Sequence, residues 1–433
     1  MTGEGAGDIP KNPNPIPTRK EVFPMKLFVG IDVSSRDLQC CLMDNNGDTL
    51  KLFAAENNLN GATHLRDQIL TAADKLSCQE VHIGMESTSV YSWHPGIFLN
   101  EDEQLRGLGA KVYIINPKLI KKFKEAYTDL DKTDNIDAWV IADRLRFGRI
   151  PPTIVMEKQY IALQRLTRMR YRLTQNLTKE KQHFLQNLFY KCNAFSTEVE
   201  SSVFGNAIMN LFLEKYSLDE IASMDTAELA DYLQKRGKNR FRAPEEVAAC
   251  IQKAARSSYR LSKCVEDSVD IVLATAIESI RTFTAQIKQL DKAIARIIDG
   301  IPNTLSTIPG IGPVFTAGIL AEIGDIHRFN DQAAFAKYAG LAWSRYQSGK
   351  FEADETNLIK SGNRYLRFYL VEAANSVMRN EPEFRSYYLK KYHEVPKHQH
   401  KRALVLTARK LVRLIDALLR KDQIYTPRRK VGN

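Results

Sequence analysis

The order of strand-like and helix-like segments between residues 26 and 147 constrains the fold of this chain more than any other feature of its sequence. Three apolar segments come first, and NNGD between the second and the third is a hairpin turn signal. Amphipathic helices then alternate with two further apolar segments. The five predicted strands are KLFVGIDVS, DLQCCLMD, DTLKLFAAE, EVHIGMES and AKVYIIN. Three hairpin-linked strands followed by helix, strand, helix, strand and helix form the order of the ribonuclease H-like α/β fold.

The rest of the chain is predicted to be mainly helical. Residues 157–190 and 265–299 read as long helices, and the second carries apolar residues at the alternating three-and-four spacing of a coiled-coil seam. The seam residues are Leu273, Ala276, Ile280, Phe283, Ile287, Leu290, Ile294 and Ile297. The two long helices pair either within one chain or between chains, and the residues between them, at about 191–260, form a helical insert.

Nucleic acid is the leading partner that the charge indicates. The chain has 62 Lys and Arg residues against 51 Asp and Glu residues, and the net charge of +11 favours polyanions. Much of this charge lies in runs such as KLIKKFKEAY, RLTRMRYRLTQNLTKEKQ and YLKKYHEVPKHQHKR. Solvated helix faces explain each run singly, whereas together the runs favour nucleic acid. Six scattered cysteines, a polar opening segment and the lack of a membrane-length apolar run predict a cytoplasmic protein.

Four carboxylates on these segments are the candidate catalytic residues and metal ligands. Asp32 is a lone acid in an apolar strand, where an unpaired charge is costly, and Glu86 follows a similar apolar run. Asp134 and Asp137 lie three residues apart at the start of a helix, where capping and the helix dipole are the simpler explanation when the two are taken alone. In the ribonuclease H-like order, the first strand, the fourth strand and the last helix face one cleft. The four acids would then bind Mg²⁺ or Mn²⁺, as two ions that promote phosphodiester chemistry.

Two other acids and one other fold have weaker support. Asp143 lies about 240° around the helix from Asp137, on another face, and Asp37 at the start of the second strand is only a reserve ligand. The opening hairpin also resembles the phosphate-binding hairpin of sugar kinases and actin-like ATPases. Those proteins need a second acidic-glycine hairpin and a glycine-rich adenosine loop, and the sequence contains neither.

The C-terminal half carries two further candidate nucleic-acid-binding motifs. PGIGP, with Gly310 and Gly312, predicts a helix-hairpin-helix whose backbone N–H groups meet a phosphate, although plain helix connections have similar turns. Beyond it, YQSGKF and IKSGNRYLRF interleave basic and aromatic residues, which suits a groove for a nucleic-acid backbone. The candidate phosphate contacts there are Lys350, Lys360, Asn363, Arg364 and Arg367.

Six motifs, taken together in their order along the chain, resemble the DEDD-type transposases of bacterial insertion sequences, the family numbered one hundred and ten. The motifs are GIDVSS, GMEST, KTDNIDAWVIADRL, IPGIGPVFTAGILAEIGDIHRF, YAGLAWSRYQSGK and IKSGNRYLRFYLVEAA. The resemblance covers about residues 26–380. It implies a RuvC-like nuclease domain whose acidic tetrad is Asp32, Glu86, Asp134 and Asp137. It also implies a coiled-coil segment and a C-terminal transposase domain in which Ser348 of YQSGK is the nucleophile. GLAWS stands where the family commonly has GLAP, and the N-terminal extension and the insert are further departures.

The resemblance further implies DNA recombination guided by a bridge RNA, a structured non-coding RNA that pairs with donor and target DNA. A nucleoid-associated homodimer or tetramer assembled through the coiled coil is expected. Two alternatives remain open. A RuvC-like hydrolytic nuclease or junction resolvase would use the tetrad without Ser348, and a non-enzymatic nucleic-acid-binding protein would need neither.

The expected domain organisation combines the segment pattern with this resemblance. It comprises a disordered tail at 1–25, the RuvC-like domain at 26–155, the coiled-coil segment with its insert at 156–300, the transposase domain at 301–425 and a basic tail at 426–433.

Overall fold

The structure is a computed structural model that describes residues 25–87, 90–127, 133–148, 150, 158–214, 216–343, 347–348, 351–352, 358 and 361–427. For residues 347, 348, 351 and 352 it describes the backbone alone. The expected disordered tail lies outside the described residues up to residue 24, and the basic tail lies outside them from residue 428. The chain forms two compact units, divided between residues 155 and 156.

The first unit is built on a five-stranded mixed sheet. Its strands are β1 (Lys26–Val33), β2 (Asp37–Met43), β3 (Thr49–Glu56), β4 (Glu80–Glu86) and β5 (Lys111–Ile115). The order across the sheet is β3-β2-β1-β4-β5. β2 is antiparallel to both β1 and β3, whereas β4 runs parallel to both β1 and β5. All five predicted strands are confirmed, and the mixed sheet is consistent with a ribonuclease H-like domain.

Helices cover both faces of this sheet. They are α1 (Leu59–Lys75), α2 (Trp93–Glu101), α3 (Glu103–Gly107), α4 (Pro117–Lys124) and α5 (Asp134–Phe147). Apolar residues of α1, α2 and α3 share one core with the sheet, and apolar residues of α4 and α5 share a second core on the opposite face. The unit therefore has three layers, with α5 packed on the central strand β1.

The second unit is organised by two long helices, α6 (Lys158–Lys191) and, after the insert, α12 (Lys263–Asp299). They pair with each other in antiparallel fashion, because Arg170 forms an ion pair with Asp291 at 2.5 Å and Lys191 pairs with Asp270 at the other end. The coiled-coil seam is thus filled within one chain, which decides between the two pairings that the sequence allowed. Assembly of several chains through this segment stays a prediction.

The insert between the long helices is helical, as predicted. It contains α7 (Phe195–Glu198), α8 (Asn206–Leu213), α9 (Leu218–Ser223), α10 (Thr226–Arg236) and α11 (Pro244–Ser257). These helices form a core with the C-terminal half of α6 and the N-terminal half of α12.

The C-terminal segment comprises α13 (Pro313–Ile323), α14 (Gln332–Tyr338), β6 (Gln347–Ser348), β7 (Phe351–Glu352), α15 (Arg364–Asn380), α16 (Pro382–His393) and α17 (Gln399–Lys421). Its core includes Leu163 of α6 and Ile294 of α12, so the packing is continuous across residue 300. A separate domain from residue 301 onward stays a prediction. None of the helices within the described ranges combines the length and apolar composition that a membrane span needs.

The glycine turn of PGIGP leads into α13. The element before it is a three-residue 3-10 turn, Leu305–Thr307. Gly310 has φ +94°, and a Cβ at this position would lie 2.9 Å from the carbonyl oxygen of Ser376 in α15. Close packing on α15 therefore explains this glycine, and the DNA-binding helix-hairpin-helix stays a prediction.

Candidate metal centre

Strand β1 places Asp32 on the face of the sheet that α5 covers. Successive side chains of a strand point to opposite faces. Leu27 and Val29 pack in the core beneath α1, whereas Phe28 packs in the core beneath α5. Asp32, four residues after Phe28, lies on the same face and near the end of the strand.

A glycine lets α5 approach this strand closely. A Cβ on Gly30 would lie 2.1 Å from the carbonyl oxygen of Ala138 and 2.4 Å from the nitrogen of Ala142, so no other residue fits there without a shift of the helix. This approach brings the first turn of α5, with Asp134 and Asp137, to the end of β1.

One carboxylate oxygen from each of Asp32, Asp134 and Asp137 lies within 4.8 Å of the other two. Mg²⁺ holds oxygen ligands at about 2.0–2.1 Å, so two oxygens on one ion are at most about 4 Å apart. Small side-chain rotations would bring the three aspartates to that spacing. The site therefore fits a divalent cation in both the chemistry and the placement of its donors.

Glu86 lies beside this group without joining it. It ends β4, which runs parallel to β1 with Met85 in register with Ile31. Burial, followed by the charges of Asp32 and Asp137, raises the pKa of Glu86. Burial, followed by the charges of Asp137 and Asp134, likewise raises the pKa of Asp32. These carboxylates repel one another, and a bound cation would relieve that repulsion.

Lys124 is a member of the site that the sequence analysis missed. Its ammonium group, at the end of α4, donates a hydrogen bond to Oδ1 of Asp137 at 2.6 Å. Its charge also acts to lower the pKa of Asp32, against the larger opposing effects. In the sequence this lysine was only part of a basic run. Its helix ends shortly before the helix that carries Asp134 and Asp137, but the sequence does not show how the two helices pack.

Asp143 and Asp37 remain outside the site, in agreement with their weaker support in the sequence. Asp143 is buried and accepts hydrogen bonds from the Tyr127 hydroxyl and, at 2.7 Å, from Nε of Arg146. Asp37 begins β2 and is exposed. Asp143 thus serves the packing of the first unit.

Ser348 lies in β6, whose backbone pairs with that of Phe351 in β7. Lys350 and Lys360 lie outside the described residues. The two ends of the segment that carries the serine meet, because the N–H of Asn363 donates to the carbonyl of Tyr338 at 2.7 Å. A Cβ on Gly362 would lie 2.3 Å from the nitrogen of Gly340. The segment thus leaves and rejoins the helical body at one point.

Asn363 has a structural task at this junction. Its Oδ1 accepts hydrogen bonds from two N–H groups in the first turn of α15, at 3.0 and 3.1 Å. Its Nδ2 donates to Oε2 of the buried Glu322 at 2.7 Å and to the Tyr338 hydroxyl at 3.2 Å. Arg168 of α6 donates to both oxygens of Glu322, at 2.8 and 2.9 Å. These contacts favour a capping role over the predicted phosphate contact.

The other residues predicted to contact phosphate differ in their exposure and position. Arg364 is exposed at the start of α15, with its guanidinium 4.9 Å from the centre of the Tyr365 ring. Arg367 is half-buried on the same helix. Gly312 stands immediately before α13 with extended backbone angles. The structure of these residues is compatible with a nucleic-acid contact, which stays a prediction for each.

Two family models and several relatives match the chain. A transposase model for DEDD proteins of the IS110 type matches residues 29–190, and the model of the transposase IS116/IS110/IS902 family matches residues 303–389. The uncharacterized 44.8 kDa protein of insertion element IS116 from Streptomyces clavuligerus is 26% identical over 93% of this chain and 96% of its own. The transposase for insertion sequence element IS1111A from Coxiella burnetii is 27% identical over 44% of this chain and 50% of its own. The pilin gene-inverting protein of Moraxella bovis is 30% identical over 35% of this chain and 48% of its own.

Proposed function

We propose, from the premise that this chain belongs to the IS116/IS110/IS902 family of transposases, that it recombines the DNA of an insertion sequence through an acidic metal centre and a serine nucleophile, guided by a bridge RNA. Enzymes of this class cut and rejoin DNA strands, so DNA is the substrate. The observation that carries the proposal is the meeting of Asp32, Asp134 and Asp137 within 4.8 Å. Their elements lie far apart in sequence, so helix capping does not explain the cluster.

The acidic tetrad would hold the metal. Asp32, Asp134, Asp137 and Glu86 supply the hard oxygen ligands that suit two Mg²⁺ or Mn²⁺ ions, and four negative charges balance two divalent cations. When bound, such ions polarise the phosphodiester and stabilise the departing oxygen. The contribution of the chain would be geometric, because β1 and the first turn of α5 bring three of the carboxylates together and β4 carries Glu86 beside them.

Ser348 is the proposed nucleophile. Its oxygen forms a bond to phosphorus while the bond from phosphorus to the 3′ oxygen of the neighbouring nucleotide breaks. The serine proton leaves to a base and the departing 3′ oxygen takes up a proton. A covalent phosphoserine link keeps the bond energy that a free 3′ hydroxyl later uses for rejoining. The anchored ends of the segment around Ser348 support this role, because a nucleophile needs a defined position.

The relatives that match this chain favour recombination over hydrolysis. The name of the pilin gene-inverting relative describes a rearrangement of DNA and not its degradation. A hydrolytic nuclease or junction resolvase would use the same tetrad and release free ends. Incubation with Mg²⁺ and paired donor and target DNA, with and without the element's own RNA, separates the two. Rejoined strands that need the RNA support the proposal, and free cleaved ends alone support the nuclease.

RNA guidance predicts tight and salt-sensitive binding of a structured RNA. The net charge of +11 supplies the attraction. If six or more phosphates are contacted, raising salt from about 50 to 200 mM should weaken binding by about three orders of magnitude or more. Filter binding of the element's own transcript measures this, with a scrambled RNA of equal length as the control. A flat salt response, or equal affinity for both RNAs, would contradict RNA guidance.

Lys124→Met should tighten the binding of Mn²⁺ and lower the melting temperature of the metal-free protein. The lysine charge repels an incoming cation while it neutralises Asp137 at 2.6 Å. Both side chains are partly exposed, so screening limits the effect to roughly 3- to 10-fold in affinity. Isothermal titration with Mn²⁺ at low ionic strength measures it.

Lys121→Met is the matched control for that experiment. It removes the same charge from an exposed position one turn earlier in α4. We expect little change in Mn²⁺ affinity from it. Weaker Mn²⁺ binding in Lys124→Met would mean that the lysine orients Asp137 as a ligand and does not compete with the metal.

A further inference from the structure

The described residues around Ser348 pair as an antiparallel arm. At its base, the N–H of Asn363 donates to the carbonyl of Tyr338 at 2.7 Å. Further along, Trp343 forms an antiparallel bridge with Leu358, and β6, which carries Ser348, pairs with β7. These pairs follow one another in nearly constant register. Ser348 therefore lies towards the tip of this segment, residues 338–363, which we call the serine arm.

The geometry of the base matters because the serine arm is long. Ten residues separate Tyr338 from Ser348, and an extended strand of that length spans at most about 35 Å. A tilt of about 5° at the base would therefore move the tip by up to about 3 Å. A displacement of about 1 Å from a productive geometry can cost about a hundredfold in rate. A nucleophile at the tip thus needs a base of fixed geometry.

The buried carboxylate of Glu322 joins the base of the serine arm to helix α6. Its side chain has 0% of its surface exposed. It accepts hydrogen bonds from Nε and Nη2 of Arg168 at 2.8 and 2.9 Å, from Nδ2 of Asn363 at 2.7 Å and from Nε2 of Gln164 at 3.3 Å. The same amide nitrogen of Asn363 donates to the Tyr338 hydroxyl at 3.2 Å. One carboxylate therefore links α6 to the point where the two ends of the arm meet.

A gain in fold stability does not account for this arrangement. A buried ion pair contributes little net stability, because desolvation offsets the attraction, and its best-attested role is to fix one specific arrangement. Asn363 caps α15 through Oδ1, and a serine or an aspartate would cap a helix as well as an asparagine does. An amide differs from these caps, because its two polar atoms can cap α15 and donate to Glu322 at the same time.

We propose that Arg168, Glu322 and Asn363 form a positioning network that fixes the base of the serine arm and so holds Ser348 for reaction. The inference rests on the proposed serine nucleophile. The three side chains act through the backbone of the arm and need no contact with the DNA. Loss of the network should therefore slow the chemical step and leave the affinity for DNA unchanged.

Asn363→Ser tests the network with little disturbance of the fold, because it keeps a capping oxygen for α15 and removes the amide donor to Glu322. We expect the rate of adduct formation at saturating DNA to fall at least about tenfold, while the half-saturating DNA concentration changes by less than about twofold. Glu322→Gln keeps the shape of the side chain, replaces one acceptor oxygen and should separate the two values in the same way. Full-length protein with Mg²⁺, the element's own RNA and labelled donor DNA measures both values, at a temperature at which every variant is folded.

Asp270→Asn is the matched control, because Asp270 belongs to another buried ion pair of the second unit, with Lys191 of α6. It should lower the melting temperature and leave the adduct rate within about twofold of the wild type. Equal slowing in this control would overturn the proposal, as would unchanged rates in both network variants or a change confined to DNA affinity. Free cleaved ends without an adduct in the wild type would contradict the serine nucleophile, and the network with it. That outcome is read from the wild type alone and is therefore distinct from the others.

Discussion

Replacement of Ser348 by alanine should abolish the covalent protein–DNA species while the protein remains folded and binds DNA. The substitution removes the only side-chain oxygen at this position, without which no phosphoserine link forms. It keeps the backbone groups that pair β6 with β7. We expect recombination to fall below detection, a loss of at least about a thousandfold, as for other removed nucleophiles. Labelled DNA that migrates with the denatured protein measures the adduct directly.

Ser361→Ala is the matched control for this experiment. Ser361 also precedes a glycine in a basic context, but it is exposed immediately before the anchored start of α15. Its replacement should leave the adduct intact. An adduct that persists in Ser348→Ala and vanishes in Ser361→Ala would move the nucleophile by one motif. Free cleaved ends without any adduct in the wild type would favour the hydrolytic nuclease.

The sheet and its acids could be predicted because their signals are local or topological. Apolar segments and the NNGD turn marked the strands, and the strand order brought Asp32 and the start of α5 to one place. The contact of Lys124 with Asp137 could not be predicted, since it depends on how α4 packs beside α5. The need for a glycine at position 30 could not be predicted either, because it depends on the backbone of Ala138 packing against this position.

The same lone-acid signal has two different meanings in this chain. Asp32 and Glu322 each stand alone in an apolar segment, DVS after FVGI and EIG after AGILA. Glu322 is neutralised by Arg168, which lies on α6 and is distant in sequence. Asp32 instead meets other acids. Only the three-dimensional arrangement distinguishes a satisfied structural carboxylate from one that needs a cation.

Asn363 carries a local structural signal that the sequence analysis did not use. An asparagine directly before an apolar-periodic helix is a typical N-cap, and it has that role at the start of α15. The basic and aromatic residues around it suggested a phosphate contact instead. Both readings use the same side-chain atoms, and in this structure those atoms already have partners within the protein.

Four isosteric substitutions should each reduce Mg²⁺-dependent strand cleavage by at least about a hundredfold, since each removes a ligand charge without a change of shape. They are Asp32→Asn, Glu86→Gln, Asp134→Asn and Asp137→Asn. DNA binding in EDTA should persist.

The raised pKa values of Asp32 and Glu86 mean that their charged forms are disfavoured in the folded protein, so stability is lost as pH rises through those values. At neutral pH, Asp32→Asn should therefore melt at a higher temperature than the wild type in EDTA.

Divalent metal should reverse that order of stability. Mg²⁺ or Mn²⁺ stabilises the wild type by binding the folded state, whereas Asp32→Asn lacks a ligand and gains less. Asp37→Asn is the control, because Asp37 is an exposed acid of the same sheet at the start of β2. It should show wild-type cleavage and a wild-type response to metal. If two or more of the four variants kept near-normal cleavage, the acids would not act as one metal site, and the favourable interaction of first-turn acids with the helix dipole would suffice to explain Asp134 and Asp137.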